Sequence, residues 1–149
     1  MHFENAYHDA PSAGAIRAAV RARSEAKDDA RAATLSAIGL RAYEADAASQ
    51  KYFSSIIEGA RPKLLELKVT CEEPCEIALD GKLVSLAPDT KWTLYVAPGT
   101  HTGAASFDAK SSGPSDFSVE GTAGQSRELT LAPKPLPKAP DERTPSPSD

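Results

Sequence analysis

The chain has 149 residues and a formal net charge of −4, enough for one ordinary domain or two small ones with little core in either half. Its acidity is uneven: residues 64–133 carry five Lys/Arg against ten Asp/Glu, whereas residues 1–63 carry nine against eight. This balance argues against nucleic acid as a partner, because no basic face is present to release counterions, and no stretch approaches the roughly 20 apolar residues of a membrane span.

Residues 1–63 are rich in Ala with Arg and Glu interspersed, a composition that predicts helices. The start Met1-His-Phe-Glu-Asn-Ala-Tyr7 has neither the basic opening nor the apolar stretch of a signal peptide. Pro11-Ser12 opens one helix, with Ile16, Ala19, Val20 and Arg23 at spacings of three and four. Asp28-Asp29 caps a second, whose apolar face uses Ala32, Leu35 and Ile38 and which Gly39 weakens by about 1 kcal/mol. A third follows Asp46, gathers Tyr52, Phe53, Ile56 and Ile57 and is expected to stop at Gly59-Ala-Arg-Pro62.

The pattern then changes to period two. Seven short strands are expected near 65–71, 75–80, 83–87, 91–97, 100–107, 115–120 and 126–132. Alternation puts Leu67, Val69, Cys71, Cys75, Ile77 and Leu79 inward and leaves Glu66, Lys68, Thr70, Glu76 and Asp80 on a wet face. Asp80-Gly81 favours a hairpin, Pro98-Gly99 a type II turn, and Gly124 marks a further turn. Trp92, Leu94 and Val96 supply the largest inward side chains, joined by Phe107, Phe117, Val119, Leu129 and Leu131. Such punctuation indicates an all-β sandwich. Residues 133–149 hold six of the twelve prolines and read as a disordered linker or tail.

The expected fold class is therefore α+β in two modules, helical over 1–63 and β over 64–132, with the Pro-rich segment 133–149 following. Four stretches of the β part, Leu67-Lys-Val69, Pro74-Cys-Glu-Ile-Ala-Leu-Asp80-Gly81, Trp92-Thr-Leu-Tyr-Val-Ala-Pro98-Gly99-Thr-His101 and Gly124-Gln-Ser-Arg-Glu-Leu-Thr-Leu131, resemble a PEGA domain, a small β-sandwich module of bacterial extracytoplasmic proteins. Glu-Pro-Cys-Glu stands where that family's name-giving tetrapeptide would be. The helical part resembles the end of a tetratricopeptide array: His2-Phe3-Glu-Asn-Ala6-Tyr7-His-Asp-Ala-Pro11 is similar to the close of a repeat's second helix, and residues 14–45 approach one further helix pair. Together the resemblances imply a protein of the cell envelope, periplasmic or otherwise extracytoplasmic, with a chain that begins inside a repeat.

Few residues suggest chemistry. Cys71 and Cys75 flank Glu-Glu-Pro, and three states are open to them: a structural disulfide, which suits an oxidising compartment, two free thiols, or metal or redox chemistry. Zinc would need two more ligands and a redox pair only two intervening residues, so the disulfide is the favoured reading. The carboxylates Glu72, Glu73, Glu76, Asp80 and Asp89 form no calcium-loop series, and His101 has no nucleophile pattern beside it. No catalytic, metal or cofactor residue is assigned; Asp80, Gly81, Pro98, Gly99 and Gly124 are read as turn formers. The expected function is a non-enzymatic scaffold or protein-interaction module that engages a protein partner through its helices. The rival expectation is a sensory or regulatory ectodomain that recognises a cell-wall or surface polymer; it would require an exposed aromatic patch, for which only Trp92 and Tyr95 are near neighbours, and alternation buries one of them.

Overall fold

Side-chain caps begin three helices that lie wholly among the described residues of a computed structural model, which are Glu4, Tyr7, residues 10–107 and residues 112–135. Helix α1 (Ala13–Glu25) starts where the Ser12 hydroxyl oxygen accepts the Ala15 N–H at 3.0 Å. Asp28 accepts the Arg31 N–H at 3.2 Å to open α2 (Asp29–Ala42), and Asp46 accepts the Ser49 N–H at 3.1 Å to open α3 (Ala47–Ala60). Each cap satisfies an amide that has no partner within its helix, a contribution of about 1 kcal/mol. Helix α3 ends at Ala60, within the expected stop Gly59-Ala-Arg-Pro62, and passes into a 3-10 turn over Arg61–Lys63 that contains Pro62. Burial fixes this junction, since Ala60 and Leu64 pack with Ala33, Ile57 and Tyr95.

Ile16, Ala19 and Val20 of α1, Ala32 and Leu35 of α2 and Phe53 of α3 form the helical core. Gly39 is a requirement of that core more than a weakness of its helix. A methyl group on it would overlap the Phe53 ring, so only glycine lets the ring sit against α2.

The β part comprises β1 (Leu65–Leu79), β2 (Lys82–Leu83), β3 (Asp89–Val96), β4 (Gly99–Phe107), β5 (Ser112–Gly113), β6 (Ser115–Gly121), β7 (Ser126–Leu131) and β8 (Lys134–Pro135). Six strands share one sheet, in which β1 pairs with β2, β3, β4 and β7 while β6 adds to β4; β5 and β8 form a separate pair. The first half of β1 lies between β3, antiparallel from Leu65↔Val96 to Thr70↔Lys91, and β7, parallel from Glu66↔Ser126 to Cys71↔Leu131. Its second half pairs antiparallel with β4 from Cys75↔Phe107 to Leu79↔Gly103. The class is α+β, with a mixed sheet.

Two strand expectations are corrected. Residues 65–71 and 75–80 are not separate strands across a turn: β1 runs on, and Glu72, Glu73 and Pro74 form an exposed irregularity at the register shift between Thr70 and Cys75. The chain has no reason to reverse there, because each half already has its own sheet neighbours and a spacing of four keeps both cysteines on the inward face. The strand expected at 83–87 is only Lys82–Leu83; the Val84 and Ser85 amides both turn back to the Ile77 carbonyl, and Leu86 is buried in the helical core. Of the expected tail, only Pro133–Pro135 falls among the described residues, and there Lys134–Pro135 pairs with Ser112–Gly113.

Both halves of β1 feed one core. Leu65, Leu67, Val69, Ile77 and Leu79 join Trp92, Leu94, Val96, Val119 and Leu131 in a single buried cluster, with Phe107, Phe117 and Leu129 packed at its edge. The opposite face of the first half is wet at Lys68 and Thr70, as expected, but covered at Glu66. Helix α2 lies against β3, where the Thr34 hydroxyl bonds the Tyr95 backbone, and Glu66, expected outside, is 8% exposed. Alternation identifies two faces but cannot say that helices will cover part of the second one.

Candidate functional site

The corner that the cysteines mark is closed. Cys71 and Cys75 are joined as a disulfide with Cα atoms 6.2 Å apart, and their exposures are 2% and 0%. Cys71 pairs with Leu131 of β7, while Cys75 pairs with Asp89 of β3 and Phe107 of β4, so the bond staples the point at which β1 changes partners. A thiol pair buried this way has no access for exchange.

The turn residues occupy three bends. Asp80 and Gly81 have φ of 50° and 83°, the paired left-handed conformation of a tight hairpin, flanked by Leu79↔Lys82. Pro98 and Gly99 lead from β3 into β4. Gly124 lies between β6 and β7 and donates its N–H to the Leu64 carbonyl at 2.8 Å, which ties that bend to the end of the helical segment. The first two bends also meet each other, because the Asp80 carboxylate lies 2.5 Å from His101 Nδ1 and accepts the Thr102 N–H at 3.2 Å. The other ring nitrogen of His101 lies 2.7 Å from the Ala97 carbonyl oxygen. The hydrogen bond from His101 holds the Asp80 carboxyl below its ordinary 3.8. Burial disfavours charge on His101, but Asp80 and the Ala97 carbonyl outweigh it and raise the imidazole above its ordinary 6.5.

A groove of about 930 Å³ is lined by residues of α2, α3 and β3, with Ile38, Arg41, Glu44, Glu58, Lys91 and Thr93 on its walls. Glu66 lies in its floor. The Tyr95 hydroxyl donates to Glu66 at 2.7 Å, the Ser126 hydroxyl donates at 3.0 Å, and Arg61 approaches to 3.7 Å. Burial alone would raise the Glu66 carboxyl, yet these donors and Lys68 bring it below its ordinary 4.5; burial and Glu66 together push the Tyr95 hydroxyl up to about 12. At the mouth, Arg41 grips Asp89 through both carboxylate oxygens, at 2.5 and 2.8 Å, and keeps that carboxyl low. Arg31 reaches the Val84 carbonyl at 2.6 Å and Glu4 at 2.8 Å.

Sequence reasoning singled out the cysteines and the bends but not these joints. Arg41–Asp89, Arg31–Val84 and Thr34–Tyr95 join residues 48, 53 and 61 positions apart, and no local spacing announces such pairs. The aromatics considered for polymer recognition are withdrawn from the surface: Trp92 is 6% exposed in the core and Tyr95 3% under the helices. Among the described residues no group of three or more His, Cys, Asp or Glu side chains is placed to hold a metal ion, and no helix is long and apolar enough to cross a membrane. No family model matches the chain, and no curated protein is significantly similar to it.

Proposed function

We propose that the chain is a non-enzymatic cell-envelope scaffold, or protein-interaction module, that works outside the cytoplasm. In this reading residues 1–63 are a TPR-like helical fragment, residues 64–132 a PEGA-like β-sandwich, and residues 133–149 a Pro-rich spacer. The sandwich is supported by the common core into which both halves of β1 point. The observation that carries the functional reading is how the charged side chains are used. Asp89 is held by Arg41, Glu66 by Tyr95, Ser126 and Arg61, Asp80 by His101, and Glu4 by Arg23 and Arg31. Glu66, Tyr95, Arg41 and Asp89 line the groove, and perturbed groups around a cleft can mark catalysis, but each of these is engaged by a partner on another element, which favours a structural use. The extracytoplasmic setting rests on the buried disulfide, which an oxidising compartment forms and keeps.

A docked helical layer over a cross-linked β core gives a rigid body, and its groove offers both walls to a protein segment. The full chain, immobilised, should bind an envelope protein whose interaction survives purification of both partners and weakens on Glu44→Lys or Lys91→Glu. Saturable binding of purified wall polymer, unchanged by those substitutions, would instead favour the sensory ectodomain.

A further inference from the structure

The hydrogen-bond chemistry around His101 fixes its protonation. A backbone carbonyl oxygen only accepts, and so does the ionised Asp80 carboxylate. With Nε2 2.7 Å from the Ala97 carbonyl and Nδ1 2.5 Å from Asp80, both ring nitrogens must carry a proton to donate. A neutral imidazole has one N–H and satisfies only one side; the other becomes a lone pair facing an oxygen. The His101 side chain is 14% exposed, so water is poorly placed to relieve that repulsion.

Each contact belongs to a different bend. Asp80 stands in the turn between β1 and β2, Ala97 in the link between β3 and β4, and His101 near the start of β4. We propose that Asp80, His101 and Ala97 form a proton-operated latch: the doubly protonated ring holds the two bends together, and loss of one proton lets them part. The surroundings leave this control to a single carboxylate. Across the sheet on β6 the residue opposite His101 is Val119, and Glu120 is opposite Thr100, on the alternate face. On β1, Leu79 is opposite Gly103, so Asp80 is the charged group in contact with the ring. The backbone bond from the Asp80 N–H to the Thr102 carbonyl, at 2.8 Å, does not depend on the proton. It keeps the strands in register while the latch opens, so the change stays local to the bends.

The direct test follows the side-chain nitrogens of His101 by ¹⁵N NMR in the full chain across pH, with the signals assigned through His101→Gln. The expected result is two protonated nitrogens at pH 6.5, a titration midpoint above that of an unfolded peptide, and amide shifts at Gly81 and Gly99 that follow the same midpoint. Asp80→Asn should move the midpoint downward without unfolding the chain, since the neutral amide keeps the turn but withdraws the charge. A single protonated nitrogen at pH 6.5, or a midpoint equal in wild type and Asp80→Asn, would overturn the proposal. So would bend amides that ignore the His101 titration. None of these readouts depends on a binding partner.

Discussion

The one hydroxyl of Thr34 satisfies both backbone groups of Tyr95: the Tyr95 N–H donates to Oγ1 at 2.9 Å, and Oγ1 donates to the Tyr95 carbonyl at 3.3 Å. Among the described residues β3 is an edge strand, paired with β1 alone, so these groups would otherwise be buried without partners. A helix side chain thus stands in for a neighbouring strand, and it fixes where the helical layer sits on the sheet.

Replacing Thr34 with Val keeps the shape and removes both bonds. Two buried polar groups are then left unsatisfied, and the expected loss in denaturant unfolding is about 1–3 kcal/mol for each group that water cannot reach. Thr34→Ser, which keeps the oxygen, should lose much less.

Gly39→Ala should reverse the usual helix rule. In an exposed helix interior this change gains about 1 kcal/mol. Here the new methyl group meets the Phe53 ring, and overpacking of a filled core typically costs about 1–3 kcal/mol, so the net effect is destabilising. Combining it with Phe53→Leu, which clears the space, should recover part of the loss beyond what addition of the two single effects predicts.

Glu66 gives the fold an acid dependence. Its carboxyl is lower in the folded chain than the ordinary 4.5, so its contribution is present above pH 4.5 and is lost as pH falls through the depressed folded value. Tyr95→Phe removes the hydroxyl at 2.7 Å and should cost about 1.5–3 kcal/mol at pH 7, in the range of a hydrogen bond to a charged group. The difference between wild type and variant should shrink as unfolding is repeated at falling pH.

Cys71 and Cys75 close a loop only 4 residues long, for which the chain-entropy relation gives about 2 kcal/mol. Cys71→Ala with Cys75→Ala should lower stability by about that amount, plus a cavity contribution. Without reductant, the chain should show no thiol reactivity either folded or unfolded, and labelling should require both a reductant and unfolding; two thiols that label in exported protein without reductant would remove the compartment argument.

Much of the helical part was legible because its signals are local. Ser12, Asp28 and Asp46 cap within three residues, and the apolar spacings of Ile16 and Val20 or Ala32 and Leu35 are one turn apart. The inward faces of β1 and β3 were legible for the same reason. The parallel pairing of β1 with β7 was not, since alternation is the same whichever neighbour a strand takes. Glu66 misled for a related reason: a polar residue on a strand's second face reads as solvated unless the docking of the helices is already known. Gly39 misled in the opposite way, because propensity scales report the helix and not the ring that fills the space beside it. His101 and Asp80 were each visible as part of a bend, but their contact spans 21 positions and exists only once β1 and β4 are paired.

The scaffold account depends on the helical layer and the sheet behaving as one body, and the chain carries its own reporters for this. Its one Trp, Trp92, lies in the β core, whereas α1 to α3 dominate the circular dichroism at 222 nm. Equilibrium urea unfolding followed by both signals should give a single coincident transition that Thr34→Val and Arg41→Ala shift together. Helices that melt at lower denaturant while Trp92 fluorescence remains native would contradict the account.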